Sequence, residues 1–289
     1  MGSSGPRPGQ GNSQQASRLG WALLTLTPIV FLILLFVVPI IHMGMLSFAD
    51  SRGPLGAYQE LWEDKVYWFV LLRTFKTAFF VAVLCVLIAY PTAYVLTRLT
   101  GTLRQIAFWC VLFPLWMSAL TRTFSWMLLL DRSGPVSVVI QALGLTDGAP
   151  QLLYTTLAVY LGMVHVMLPF AIFPIYASML GIDPRLIQAS EGLGASPWRT
   201  FWRVQLPLSL PGVMSAGTLV FLVSLGFFVT PAMLGGLENS TLASLIEMLI
   251  HERLSTSTAS AVAMVLLVVT LLVVMLCSRM LRGANPIKS

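Results

Sequence analysis

Six long apolar stretches, at about 21–46, 69–97, 105–130, 152–180, 208–235 and 257–281, take up most of this chain of 289 residues. A helical crossing of about 30 Å of hydrocarbon needs roughly 20 apolar residues, so each stretch is long enough for a tilted span. Lipid offers no water to unpaired backbone amides, which restricts such spans to helices packed in a bundle. The expected fold is therefore an all-α integral membrane protein with six transmembrane helices. Charged residues make up 10% of the chain, against about 25% in soluble domains. Little chain remains for a soluble catalytic domain.

Six spans put both termini on one side, and the basic residues decide which. Of 17 Lys and Arg residues, ten lie in the N-terminal tail, the 98–104 turn, the 181–206 loop and the C-terminal end from Arg279 on. The alternate loops hold Arg52, Lys65, Arg132 and Arg253. Basic excess marks the cytoplasmic side, so both termini and the 181–206 loop are expected there. Nine of the eleven acidic residues fall in the outer loops; they form either a solvated face or an acidic mouth that concentrates cations or docks a partner.

The expected organisation is a disordered tail over 1–20, a first span and outer loop over 21–68, a five-helix core over 69–281 containing a cytoplasmic loop at 181–207, and a tail over 282–289. The tail lacks apolar content, Pro6 breaks a myristoylation pattern, and the 21–46 run is too long for a signal peptide. Prolines inside the spans (Pro28, Pro39, Pro91, Pro114, Pro169, Pro174, Pro231) free carbonyls that neighbouring helices or a water-lined cavity must satisfy.

The loop QASEGLGASPWRTFWRVQLP (188–207) interrupts this apolar pattern. Asp183-Pro184 is a helix start, with an N-capping carboxylate and a proline preset for the first helical position. Gly194 suits the left-handed turn that ends a helix. Ser196-Pro197 repeats the start signal, and the second helix runs towards Gln205 before Leu206-Pro207 leads into the fifth span. Trp198, Phe201 and Trp202 share one face, and Arg199 and Arg203 another. One reading is an interfacial helix at headgroup depth; it leaves the small-residue surface of Gln188, Ala189 and Ser190 unexplained.

This loop resembles the EAA loop of permease subunits in binding-protein-dependent ABC importers, with Gln188-Ala189-Ser190, three residues, Gly194, nine residues, Val204, one residue, and Leu206-Pro207. The resemblance implies a type I ABC importer permease fold in a bacterial inner membrane. It also implies that the loop seats in a cytoplasmic ATPase dimer, through Gln188, Ala189, Ser190, Glu191, Gly194, Leu206 and Pro207. Gln188 replaces the family's glutamate, and Glu191, one turn on, is a substitute carboxylate. The stretches at 114–134, 161–179 and 182–190 are similar to the spermidine/putrescine permease branch. That likeness implies a polyamine as solute, a second permease subunit, identical or homologous, and a periplasmic solute-binding protein.

The chain has no G-x-x-x-x-G-K-[ST], so ATP and Mg belong to the partner ATPase, with no cofactor here. G-x-S-x-G and H-E-x-x-H are also missing. Cys85, Cys110 and Cys277 show no metal-ligand spacing with the histidines. The chain is expected to be a transport subunit rather than an enzyme, with lipid and protein partners and no nucleic acid. Polar groups within the spans are candidates for the solute pathway. Arg122, expected near the outer end of a straight third span, is either a snorkelling or loop-pairing residue or a pathway residue. His165 is either a helix–helix hydrogen bonder or a ligand. Trp126, Tyr176 and Glu247 offer aromatic faces and a carboxylate to a polycation. The segment 242–254 is expected to form a short gating or docking helix. An ion-gradient-driven carrier or channel is the alternative, and it requires a titratable cluster at mid-membrane.

Overall fold

The computed structural model describes the backbone of residues 10–146, 148–236 and 239–283 and, within these, the side chains from residue 26 on apart from 277 and 280–283. The described residues are helical throughout, without strands. Helix α1 (Gln10–Ser47) carries the first apolar run and begins eleven residues ahead of it. Extending an existing helix adds one hydrogen bond per ordered residue and needs no new nucleus, so weak formers are carried along. The remainder of the tail expected over 1–20, and all of the last tail beyond 283, lie outside the described residues.

A small helix α2 (Gly56–Glu63) precedes the long span α3 (Lys65–Arg98), whose start is capped by Asp64 accepting from the Val66 amide. The third apolar stretch is not one straight helix. It splits into α4 (Gly101–Trp116) and α5 (Ala119–Leu130), which continues past a turn into α6 (Pro135–Ala142), and the two parts meet at a bend of 96°. Pro114 sits in the last turn of α4 and the Met117 amide closes back on its carbonyl, so the helix ends where a proline has already weakened it. An apolar run reports total length and is silent on a bend of this kind.

Helix α7 (Thr156–Leu180) is the fourth span. A hairpin of α8 (Pro184–Gly192) and α9 (Pro197–Thr200) follows, then a π-helical turn (Phe201–Gln205) that feeds into α10 (Leu206–Leu225). The short helix expected from Pro197 towards Gln205 is not separate from the fifth span, because the helix runs unbroken from Pro197 to Leu225. The π turn hydrogen-bonds Leu206 to the Phe201 carbonyl; one extra residue there makes room for the Pro207 ring, which would otherwise strike the preceding turn. The fifth apolar stretch also breaks, at Gly226, before the short α11 (Val229–Leu234). The chain closes with α12 (Leu242–His251) and the last span α13 (Thr256–Gly283), against which α1 packs.

The core is the trio α3, α7 and α10. Ala78, Ala82, Cys85, Ala89 and Ala93 form a buried small-residue face on α3, and Gly162 and Gly212 do the same on α7 and α10. Lipid tails are as apolar as leucine, so membrane helices associate through close packing, and small residues allow the backbones to approach.

A second cluster joins Leu61 of α2, Val70 of α3, Leu242, Leu245 and Leu249 of α12, and Val262 of α13. The 242–254 segment is thus a packed element, tied by the Leu242 amide donating to Thr74 Oγ1 at 2.8 Å. Beside it Arg52 bridges Asp50 at 2.8 Å and Glu60 at 2.6 Å, which occupies two of the acidic residues expected on the outer face. The Arg52 guanidinium holds the Asp50 carboxyl down at about 2. A folded-state value below the ordinary one stabilises the fold fully above about pH 4, and the contribution is lost as pH falls towards 2. Titration of the Asp50 carboxyl near its ordinary value in the folded chain, followed by NMR in detergent, would contradict this.

Candidate functional site

Two separate places gather the polar groups singled out by the sequence. The first is the α8–α9 hairpin. Asp183 caps α8 by accepting from the Arg185 amide at 2.9 Å, and Ser196 caps α9 by accepting from the Arg199 amide at 3.4 Å. Between them Gly194 has φ +82°, a conformation that costs other residues steric strain. The elbow is closed by the Gly194 amide donating to the Glu191 carbonyl and the Ala195 amide to the Ser190 carbonyl.

Ser190 Oγ and Thr200 Oγ1 lie 3.0 Å apart and cross-link the two arms. Thr200 is buried, whereas Gln188, Ala189 and Glu191 are exposed and Leu193 at the tip is 89% exposed. Phe201 anchors the hairpin to α3 through ring contacts with Tyr90 at 5.8 Å and Tyr94 at 6.0 Å. Tyr90 in turn shares a hydrogen bond with Ser209 Oγ, and Arg98 lies over the Tyr94 ring. Trp198, Phe201 and Trp202 touch one another as their shared face predicts. Leu206 and Pro207 belong to the first turn of α10, behind the hairpin.

Sequence reasoning missed Thr200, Tyr90 and Tyr94. The two tyrosines carried a signal, since they stand four apart near the end of an apolar run; Thr200 carried none. Ser190→Ala leaves the Thr200 hydroxyl without this partner and is expected to destabilise the hairpin by about 1 kcal/mol. Faster amide exchange at Leu193 to Ala195, with core protection unchanged, is the measurement; unchanged exchange at the elbow would mean the pair does not hold it.

The second place is the face shared by α5 and α7. Trp126 Nε1 donates to His165 Nδ1 at 3.0 Å, which makes His165 a helix–helix hydrogen bonder. Arg122 is close enough to His165 for the two to interact electrostatically. Thr123 and Thr230 pair at 2.8 Å and tie α5 to α11. Arg122 does not snorkel; it is 6% exposed. The bend in the third stretch removes the straight path on which an outer position was expected. Tyr176 sits about three turns further along α7, against Phe108 and beside Arg104. Glu247 stands exposed on α12. Arg122, Trp126 and His165 therefore come together, and neither Tyr176 nor Glu247 joins them. Among the described residues no group of three His, Cys, Asp or Glu side chains could hold a metal ion.

Residues 90–282 match the model of the family described as binding-protein-dependent transport system inner membrane component. The chain belongs to this family. This permease component is 30% identical to the spermidine/putrescine transport system permease protein PotB of Escherichia coli K12, over 70% of its own length and 73% of that protein's. It is 33% identical to the molybdenum transport system permease protein ModB of Mycobacterium bovis, over 71% and 76% respectively. A chain of a bacterial ABC transporter that imports the acidic polysaccharide alginate superposes with a TM-score of 0.72, covering 94% of this permease component and 99% of that chain at 17% identity. The fold is that of a type I importer permease, and the chain is a multi-pass inner-membrane transport subunit. Family membership sets the ion-gradient alternative aside.

Proposed function

We propose that this permease component moves a polyamine, putrescine or spermidine, into the cytoplasm by alternating access driven by a separate ATPase dimer. The α8–α9 hairpin receives the ATPase, a second permease subunit completes the pathway, and a periplasmic binding protein delivers the solute to the outer loops. Both termini then lie in the cytoplasm with the hairpin. One observation carries the coupling role. A hairpin braced at its base by Thr200 and Phe201 presents a surface of Gln188, Ala189, Glu191 and Leu193 that none of the other described residues covers. An exposed leucine tip on a rigid base is what a receiving cleft requires, because little is left to order on docking. ATP and Mg are held by the ATPase.

The likeness to PotB supports the polyamine assignment, and the comparable likeness to a molybdenum permease makes an oxyanion the proper control. The test is uptake by the co-expressed transporter in cells lacking their own polyamine uptake, with labelled putrescine, spermidine and molybdate. ATP-dependent accumulation of either polyamine is expected. Accumulation of molybdate alone would replace the solute and keep the importer, and uptake that persists without the ATPase would overturn the coupling.

A further inference from the structure

Two arginines and two tryptophans at the base of the hairpin have no role in the coupling surface. From Pro197 the helix runs without a break into the span α10, and its two sides differ. Thr200 and Gln205 are buried, and Phe201 lies against Tyr90 and Tyr94. Trp198, Arg199, Trp202 and Arg203 take up the remaining arc and are all exposed, Trp198 to 70% and Trp202 to 51%. A step of roughly 100° per residue sets the indoles side by side with the two guanidiniums next to them, and the indole rings meet at 5.7 Å. The side chains of Arg199 and Arg203 have no ion pair or hydrogen bond among the described residues, where the ion pairs belong to Arg52. The 181–206 loop carries three arginines against two carboxylates, and one of these, Asp183, accepts from the Arg185 amide.

The position of the arc along the helix says what covers it. The 20 residues Leu206–Leu225 rise about 30 Å, the thickness of the hydrocarbon. Arg203 and Trp202 precede Leu206 by three and four residues, and Arg199 and Trp198 by seven and eight. They therefore stand roughly 5–12 Å beyond the hydrocarbon, in the headgroup layer and at its edge. Exposed Leu208 and Leu210 follow within the next two turns, so the arc is continuous with the lipid-facing surface of the span. Water alone would suit the guanidiniums and leave two large indoles exposed, and hydrocarbon alone would do the reverse. The headgroup layer serves both. Within it, two unpaired guanidiniums call for anionic lipid, because their planar forks match phosphate oxygens and their charge is otherwise uncompensated.

We propose that the arc of Trp198, Arg199, Trp202 and Arg203 is a binding site for anionic phospholipid, with the phosphates on the arginines and the indoles against the glycerol and upper acyl carbons. Lipid then braces the base of the hairpin from the side that Thr200 and Phe201 leave open. That this steadies the surface offered to the ATPase rests on the coupling reading above; the lipid site itself does not.

The test titrates the full-length chain, purified in detergent, with phosphatidylglycerol or phosphatidylcholine and counts bound lipid by native mass spectrometry. Wild type should bind phosphatidylglycerol at least about tenfold more tightly than phosphatidylcholine, and the double variant Arg199→Gln, Arg203→Gln should lose that preference. The double variant Arg199→Lys, Arg203→Lys keeps the charge and should retain most of it. A preference that survives both glutamines undiminished overturns the proposal. With the co-expressed partners in detergent and no added lipid, the glutamine variant should bring down as much ATPase as wild type. Loss of the ATPase there, with the lipid preference intact, would make the arc a contact of the motor and overturn the proposal as well. Failure of the wild-type chain to bring down any ATPase would defeat the coupling reading, while the lipid titration on the single chain still decides this site.

Discussion

Gly194→Val is expected to release the ATPase while the membrane helices stay folded. A Cβ at Gly194 would meet nothing within 4 Å, so the effect is not a clash with neighbours. It comes from φ +82°, where a side chain crowds the following carbonyl at about 1–2 kcal/mol, and more for a β-branched residue. The chain escapes by rotating the elbow. That breaks the closing bonds from Gly194 and Ala195 to the Glu191 and Ser190 carbonyls and carries Ser190 away from Thr200. The docking surface is then misaligned at its hinge. Co-purification of the ATPase should fall at least about tenfold, the consequence of losing about 1.4 kcal/mol in the docked state. Gly194→Asn, which tolerates the left-handed region, should retain most of the binding. Equal ATPase recovery with valine would mean that the receiving motor does not read this turn.

Gly212→Val should have a larger effect, on folding itself. At Gly212 a Cβ would collide with Ser178 Cβ and stand 2.8 Å from the Pro174 carbonyl oxygen, both on α7. Backbone cannot yield as a flexible side chain does, so α10 must move away from α7 and lose the packing of Ala216 and Val220 with it. Overpacking in a well-filled core costs about 1–3 kcal/mol or more, and the helix pair affected lies at the centre of the bundle. The yield of monodisperse protein in detergent should collapse. Gly217→Ala on the same helix is the control, since its Cβ would meet Val86 Cγ2 at an ordinary 3.7 Å. If Gly212→Val purified and melted like wild type, α7 and α10 would not be in the contact described.

The two glycines show what could be read in advance. Gly194 was legible, because a helix start, a glycine and a second helix start within 14 residues admit little besides an elbow, and the capping by Asp183 and Ser196 followed. Gly212 was not, since a glycine among apolar residues signals close approach without naming the neighbour. Arg122 was misjudged for a related reason. Its depth was reckoned along a straight helix, and the 96° bend ended that reckoning. The split of the fifth stretch at Gly226 and the continuous helix through Pro207 were likewise hidden. Hydropathy counts residues that prefer lipid and does not register direction.

The sequence by itself determined that the chain spans the membrane in several helices and carries a capped, glycine-hinged hairpin, because span length, capping chemistry and permitted φ are local properties of consecutive residues. Only the tertiary structure decided that Thr200 braces Ser190, that Trp126 binds His165, and that the Nε and Nη1 of Arg122 are enclosed without an acceptor among the described residues. Those facts depend on which helix faces which, and that is settled by the packing of small residues on α3, α7 and α10 against surfaces far away in the chain.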